Sequence, residues 1–319
     1  MAGSPILSES SPMPSRSLSL LCVILAAVLW GTAGTVQSLL PSEREPLVVA
    51  AIRLAVGATI LTLMALRLPE NRRAFRRLPW RPVLVAGLAI GLYNLLFFVA
   101  VTQAGVGVGT AIAIGSAPVW VTLYEAAVLR RLPTGVRAAG QVLSVLGAAL
   151  LVAGAGAGSA SLTGAALAAA AGAAYATYSV ATSRVGAQVP SDTLAAATFG
   201  VAMLLAAPAL FLLPVSWVAD LRAWPALLFL GAVTTGVAYA LFTRGLAGLA
   251  TSTAVTLSLV EPLTAWILAI VVLGEAVTAQ RLLGAALLFA GLAIVTLAPA
   301  RPAVRATRGE NQRAGTSQG

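Results

Sequence analysis

Between residues 118 and 291 the sequence repeats itself at a fixed distance. Pro118 and Pro262, Arg137 and Arg281, Gly140 and Gly284, and Gly147 and Gly291 each lie 144 residues apart, and the LAAVLWGTAG around Trp30 resembles the AAGAAYATYS around Tyr175 at a shift of 145. Arginine and proline are uncommon filler in Ala-, Gly- and Leu-rich segments. Their recurrence argues for duplication over chance likeness between two apolar runs. A duplicated chain folds as two copies of one unit, and the rest of the sequence has to fit that frame.

The unit is built for a bilayer. Apolar windows fall at 18–40, 46–67, 82–103, 107–129, 135–156, 162–183, 192–213, 223–244, 249–271 and 278–299. At 1.5 Å per helical residue each can cross about 30 Å of hydrocarbon. The chain is 59% hydrophobic and 9% charged, against about 25% charged in a soluble domain, so it lacks the polar groups to cover a water-facing surface. The expectation is an all-α integral membrane protein of ten transmembrane helices, with the least marked division at Gln103–Gly107, where two windows are joined by almost nothing. A polar tail, 1–17, precedes a first repeat, 18–156. A second repeat, 157–299, follows the GAGAGSASLTG linker and ends in a polar tail, 300–319. Both tails are expected to be disordered.

Arginine placement orients this arrangement. With the N-terminus cytoplasmic, sixteen arginines fall in inside segments and three, Arg44, Arg222 and Arg281, in outside segments, while Arg53 lies within a window. That bias puts both termini in the cytoplasm and the protein in the cell membrane. Five helices per repeat is an odd number, so the second copy enters from the opposite side. Inverted repeats of this kind frame the midplane site of many secondary transporters.

Several function classes drop out. The net charge of +10 resides in short loops between apolar windows, a pattern of membrane orientation, so no nucleic-acid partner is expected. Histidine is absent and Cys22 is the single cysteine, which removes an internal disulfide and histidine-dependent metal, haem or Ser-His chemistry; no cofactor, metal or catalytic residue is expected. Leu21 precedes Cys22 where a lipoprotein signal wants a small residue, so this stretch reads as the first span. The glycines at 105, 107 and 109 follow no strand and no lysine exists, so they are no phosphate loop. An enzyme acting on lipid would want clustered acids or a nucleophile with a base, and the ten acidic residues are scattered.

The candidate site lies at mid-depth. Trp30, Tyr93, Asn94, Pro118, Tyr175 and Glu261 fall near the middle of their windows. They form either helix-bridging hydrogen bonds worth about 0.6–2 kcal/mol each or the lining of a cavity, and their convergence at one depth favours the cavity. Glu261 is the sharpest candidate, because insertion scales charge about 2.5–3.5 kcal/mol for Asp, Lys or Arg at a helix centre. It suits a proton relay, a contact to a substrate ammonium, or a structural carboxyl beside Pro262. Proline lacks an amide hydrogen and obstructs the carbonyl four residues earlier, Ser258, which could then face a ligand. Glu125, two turns after Pro118 and near Arg130 and Arg131, is a gate residue or a substrate contact. Arg53 reads as a residue that caps carbonyls or extends outward, and Glu275 as a solvated helix end. The glycine pairs at spacing seven fit close packing of the fifth and tenth helices.

These segments resemble a known family. The WGT at Trp30–Thr32, the AIRLAVGA around Arg53, the SAPVWV around Pro118 and the VEPLTAWILAIVVLGEAVTAQRLLGAALLFAGL from Val260 look like the EamA family of the drug/metabolite transporter superfamily, over about residues 18–299. Its Pro and Leu-Gly-Glu pattern is matched by Pro262 and by Leu273, Gly274 and Glu275. In the first repeat the equivalent place holds Arg130, Arg131 and Leu132. The resemblance implies a carrier, usually an exporter of amino acids, related metabolites or drugs by alternating access. Proton coupling is not implied, and the sequence leaves a homodimer open.

Overall fold

The computed structural model describes residues 15–104, 106–130, 132–152, 161–186, 188–274 and 276–298. The expectations for residues 1–14, for the C-terminal tail, for most of the linker, and for Arg131 and Glu275 fall outside the described residues. All regular structure among them is helical. The long segments are α1 (Arg16–Gln37), α2 (Pro46–Leu66), α3 (Trp80–Ala104), α4 (Val106–Ala127), α5 (Gly135–Val152), α6 (Leu162–Val185), α7 (Ser191–Leu212), α8 (Leu221–Ala247), α9 (Thr251–Val272) and α10 (Ala279–Leu297). Among the described residues eight of them, α1–α3, α5 and α7–α10, are long and apolar enough to cross a membrane. The α4 and α6 segments have 22 and 24 residues, and α6 is diluted by Ala, Gly and hydroxyl side chains. Alanine is the best helix former, and small side chains let helices approach closely, so α6 is suited to an interior position against α3 and α4.

The helix ends pair as an antiparallel bundle requires. Arg16 at the start of α1 donates to Thr296 O at the end of α10 at 2.8 Å, and Arg244 near the end of α8 pairs with Asp192 at the start of α7 at 2.9 Å. One end of the bundle therefore collects Arg16, the arginines of the short Pro69–Phe75 helix, Arg130, Arg184 and Arg244. The α3–α4 junction lies at the other. Large apolar side chains such as Leu63, Leu88, Phe211, Val271 and Phe289 point outward, which suits lipid tails and not water.

The α5–α10 pair is a backbone-on-backbone seam, as the glycine spacing anticipates. A Cβ at Gly147 would lie 2.7 Å from Gly284 O, and one at Gly291 would lie 2.5 Å from Gly140 O. Only glycine permits that approach.

Two turns at the repeat distance share a backbone conformation. Gly274 closes α9 at φ +69°, its amide bonded to Ile270 O at 3.2 Å, and Arg130, 144 residues earlier, has φ +51° after α4. The glycine of the Leu-Gly-Glu pattern is thus a left-handed helix cap, and the first repeat holds the same turn with a residue that is strained there. We expect Arg130→Gly to stabilise the protein by about 0.5–1 kcal/mol, the left-handed penalty less the added chain entropy of glycine. Thermal unfolding of the detergent-solubilised protein checks this; an unchanged or lower midpoint contradicts it.

Candidate functional site

A cavity of about 370 Å³ lies within the bundle and reaches the α3–α4 end, where Gln37, Thr110, Val152 and Arg281 line it. Its volume falls within the usual range of small-molecule sites, about 300–1,000 Å³. The deeper wall carries Trp30 from α1, Arg53 from α2, Tyr93 and Asn94 from α3, Tyr175 from α6, Tyr239 from α8, and Ser258, Glu261, Pro262 and Trp266 from α9. Of the residues expected from sequence, Trp30, Tyr93, Asn94, Tyr175, Ser258, Glu261 and Pro262 come together here. Pro118 does not line this cavity: it sits inside an unbroken α4, its carbonyl accepting from Gln141 Nε2 at 2.7 Å.

The floor is aromatic. The Trp30 ring is centred 4.8 Å from Tyr239, 5.3 Å from Phe242 and 6.3 Å from Tyr175, and Tyr175 is 5.3 Å from Tyr93. Tyr178 and Phe199 extend the layer toward the arginine-rich end. Such rings bury large area with few rotatable bonds and present faces attractive to cations or apolar groups. The indole nitrogens of Trp30 and Trp266 have no hydrogen-bond partner among the described residues. Asn94 bonds back to its own helix, Nδ2 to Ile90 O at 2.9 Å, and so does not bridge helices.

The α9 helix is interrupted at Ser258–Leu259, one turn before Pro262. Proline explains the place, since it cannot donate to Ser258 O. That carbonyl is not released toward a ligand: it accepts the amide of Glu261 at 3.0 Å, a tighter turn that uses the bond proline leaves. Ser258 Oγ donates to Val255 O at 2.7 Å. Among the described residues the Glu261 carboxyl makes no hydrogen bond to the backbone of the interruption, and it lines the cavity.

Arg53 is the residue sequence reasoning misplaced. It neither caps carbonyls nor extends outward; it lines the same cavity as Glu261, with Nε donating to Thr235 Oγ1 at 3.2 Å. The acceptor is set by a π-helical turn, Ala232–Val237, in α8, where Thr235 Oγ1 also donates to Leu230 O at 2.9 Å. Wide turns of this kind often mark functional positions. The available signal was that Arg53 and Glu261 are the two deepest charges in the windows and opposite in sign. Tyr239 was legible too, two residues beyond Val237, which lies 144 after Tyr93.

The arginine-rich end is closed. Glu125 accepts from Ser252 N at 3.2 Å and Ser252 Oγ at 2.9 Å, joining α4 to α9. Thr251 Oγ1 donates to Ser183 Oγ at 2.9 Å, and the Arg184 guanidinium lies 5.1 Å from the Tyr124 ring centre, joining α6 to α9 and α4. Glu125 is thus remote from the cavity and tied into the closure.

A helical bundle with apolar outer side chains and an internal cavity that reaches one end and is bolted at the other suits a membrane transporter. The comparisons agree. The EamA-like transporter family matches residues 17–153 and again 162–297. The chain belongs to that family. It is 36% identical over 279 residues to the uncharacterized transporter YwfM of Bacillus subtilis, covering 88% of this chain and 94% of that one. It is 30% identical over 278 residues to the threonine/homoserine exporter RhtA of Escherichia coli K12, covering 85% and 88%. A solved crystal structure matches with a TM-score of 0.77 at 25% identity, covering 89% of this chain and 98% of that one.

Proposed function

We propose that this protein exports a small organic metabolite, an amino acid, amine or drug-like solute, across the cell membrane by alternating access. In this reading all ten long helices span the bilayer, as two inverted repeats with boundaries at 18–156 and 157–299. Both termini are cytoplasmic, so the arginine-rich end faces inward and the cavity opens outward. The observation that carries the reading is the asymmetry of the bundle: a lined cavity reaches one end, and the Glu125–Ser252 contact closes the other. A channel needs no such closure, whereas a carrier must alternate it. The exporter RhtA among the relatives supports the outward direction and an amino-acid type of cargo. Coupling to protons through Glu261 is part of the proposal.

The test is metabolite profiling of cells and medium with the protein overexpressed. Export predicts a few compounds rising outside and falling inside; import predicts the reverse, and would turn the direction without removing the carrier. A compound chemically altered and not relocated would replace the carrier with an enzyme.

The closure is testable by itself. Glu125→Ala removes two hydrogen bonds to a charged acceptor, each worth about 1.5–3 kcal/mol, and is expected to open the inner end. The readout is labelling of Ser183→Cys, in a Cys22→Ala background, by a membrane-impermeant maleimide on inside-out vesicles. The rate should rise about tenfold or more; an unchanged rate removes Glu125 from the gate.

A further inference from the structure

We infer that the cavity selects zwitterions, with Arg53 as the anchor for a substrate carboxylate and Glu261 as the anchor for its ammonium group. This rests on the carrier reading above and narrows its cargo to molecules that carry both charges.

Arg53 and Glu261 come from different repeats and line one cavity, yet no direct ion pair joins them. Opposite charges inside a bundle ordinarily neutralise each other, because an unpaired ion in a low-dielectric setting is costly. Here each is held back. Arg53 is tethered through Nε to Thr235, and among the described residues its two terminal nitrogens make no hydrogen bond. Those nitrogens form the edge of the guanidinium that takes a carboxylate with two parallel bonds. Glu261 comes from α9, whose backbone at Glu261 O packs against Gly31 of α1. With Glu261 ionised, the cavity holds a positive and a negative group that are not directly paired with each other.

That field sorts ligands by charge type. A zwitterion entering carboxylate toward Arg53 and ammonium toward Glu261 satisfies both poles. A simple amine satisfies Glu261 and is repelled by Arg53, a simple acid suffers the reverse, and a neutral solute displaces water from two charges and compensates neither. The aromatic floor of Trp30, Tyr93 and Tyr239 then receives the side chain. The unpartnered indole N–H of Trp30, on a residue 6% exposed, is a further donor available to the carboxylate or to a side-chain hydroxyl.

The experiment uses the full-length protein in proteoliposomes and three sets of probes: the free amino acids, their amides, which are cations, and their N-acetyl derivatives, which are anions. Each is tested as a competitor of the best-transported free amino acid. The free amino acids are expected to compete about tenfold or more better than either derivative. Arg53→Gln should abolish the preference of the free acid over its amide while keeping amide binding, and Glu261→Gln should act in mirror image on the N-acetyl derivatives. Arg53→Lys, which keeps the charge and loses the fork, should retain part of the preference. Ligand-free melting temperatures establish that each variant is folded. Amides competing as well as free amino acids, or Arg53→Gln weakening both equally, overturns the inference and leaves a carrier. Uptake of amines or dyes without amino acids does the same. If the wild-type protein moves none of these solutes, the carrier reading itself fails.

Discussion

Replacing Glu261 by glutamine is expected to reduce export by about thirty-fold or more while leaving the fold intact. Gln preserves the shape of the side chain, so the packing of α9 against α1 is kept and only the charge is removed. The pair lost is the one Glu261 would form with a bound ammonium, and truncating one member of a buried, hydrogen-bonded charge pair costs about 2–5 kcal/mol, which is about thirty-fold to several thousand-fold in affinity. If the carboxylate also carries the coupling proton, the variant loses its response to the proton gradient. The measurement is metabolite profiling of cells expressing wild type and Glu261→Gln at equal levels, with and without a protonophore. A variant that exports as well as wild type removes both the substrate-contact and the proton-relay roles, and leaves the carboxyl a structural group beside the Pro262 turn. One that still exchanges labelled for unlabelled substrate, but no longer concentrates it, keeps the relay and removes the contact.

The sequence exposed those features that physics ties to spacing or to cost. A carboxylate and a proline in mid-membrane are each expensive, so Glu261 and Pro262 by themselves point to a cavity. Gly140, Gly147, Gly284 and Gly291 foretold the α5–α10 seam, because a helix that shows the same small residue every two turns offers a flat face. What was hidden depends on side-chain direction and on turns with no residue signature. Arg53 is an ordinary cation near a helix start until the π-helical turn of α8 puts Thr235 opposite its Nε. Ser258 was chosen for a freed carbonyl, yet the chain tightened by one residue and used it. Pro118 matches Pro262 in position within its repeat, but α4 passes through it without interruption, with Gln141 taking its carbonyl. A repeat in sequence therefore did not make both prolines line the cavity. The two copies have diverged in role: one proline shapes the binding wall, and the other is buttressed within the scaffold.

The same contrast between wall and scaffold gives the second large expected effect, at Gly31. A Cβ there would lie 2.7 Å from Glu261 O and 2.5 Å from Thr264 Cβ, so Gly31→Val must push α9 away from α1. Neither obstacle is a flexible side-chain end; one is backbone and the other is a branched carbon next to it. Overpacking of this kind costs about 1–3 kcal/mol of stability, and a shift of about 1 Å in a positioned polar group can cost on the order of a hundredfold in rate. Gly140→Val supplies the comparison. Its Cβ would lie 2.7 Å from Ile294 Cγ2 and 3.0 Å from Gly291 O in the α5–α10 seam, away from the cavity lining. Both variants should melt earlier. Transport per folded molecule should fall by about a hundredfold in Gly31→Val and stay near wild type in Gly140→Val. Equal losses would mean that α1 and α9 act only as scaffold. Full transport by Gly31→Val would mean that the position of Glu261 is not set by the contact that the Trp-Gly-Thr segment makes with α9, and that this glycine serves helix packing alone.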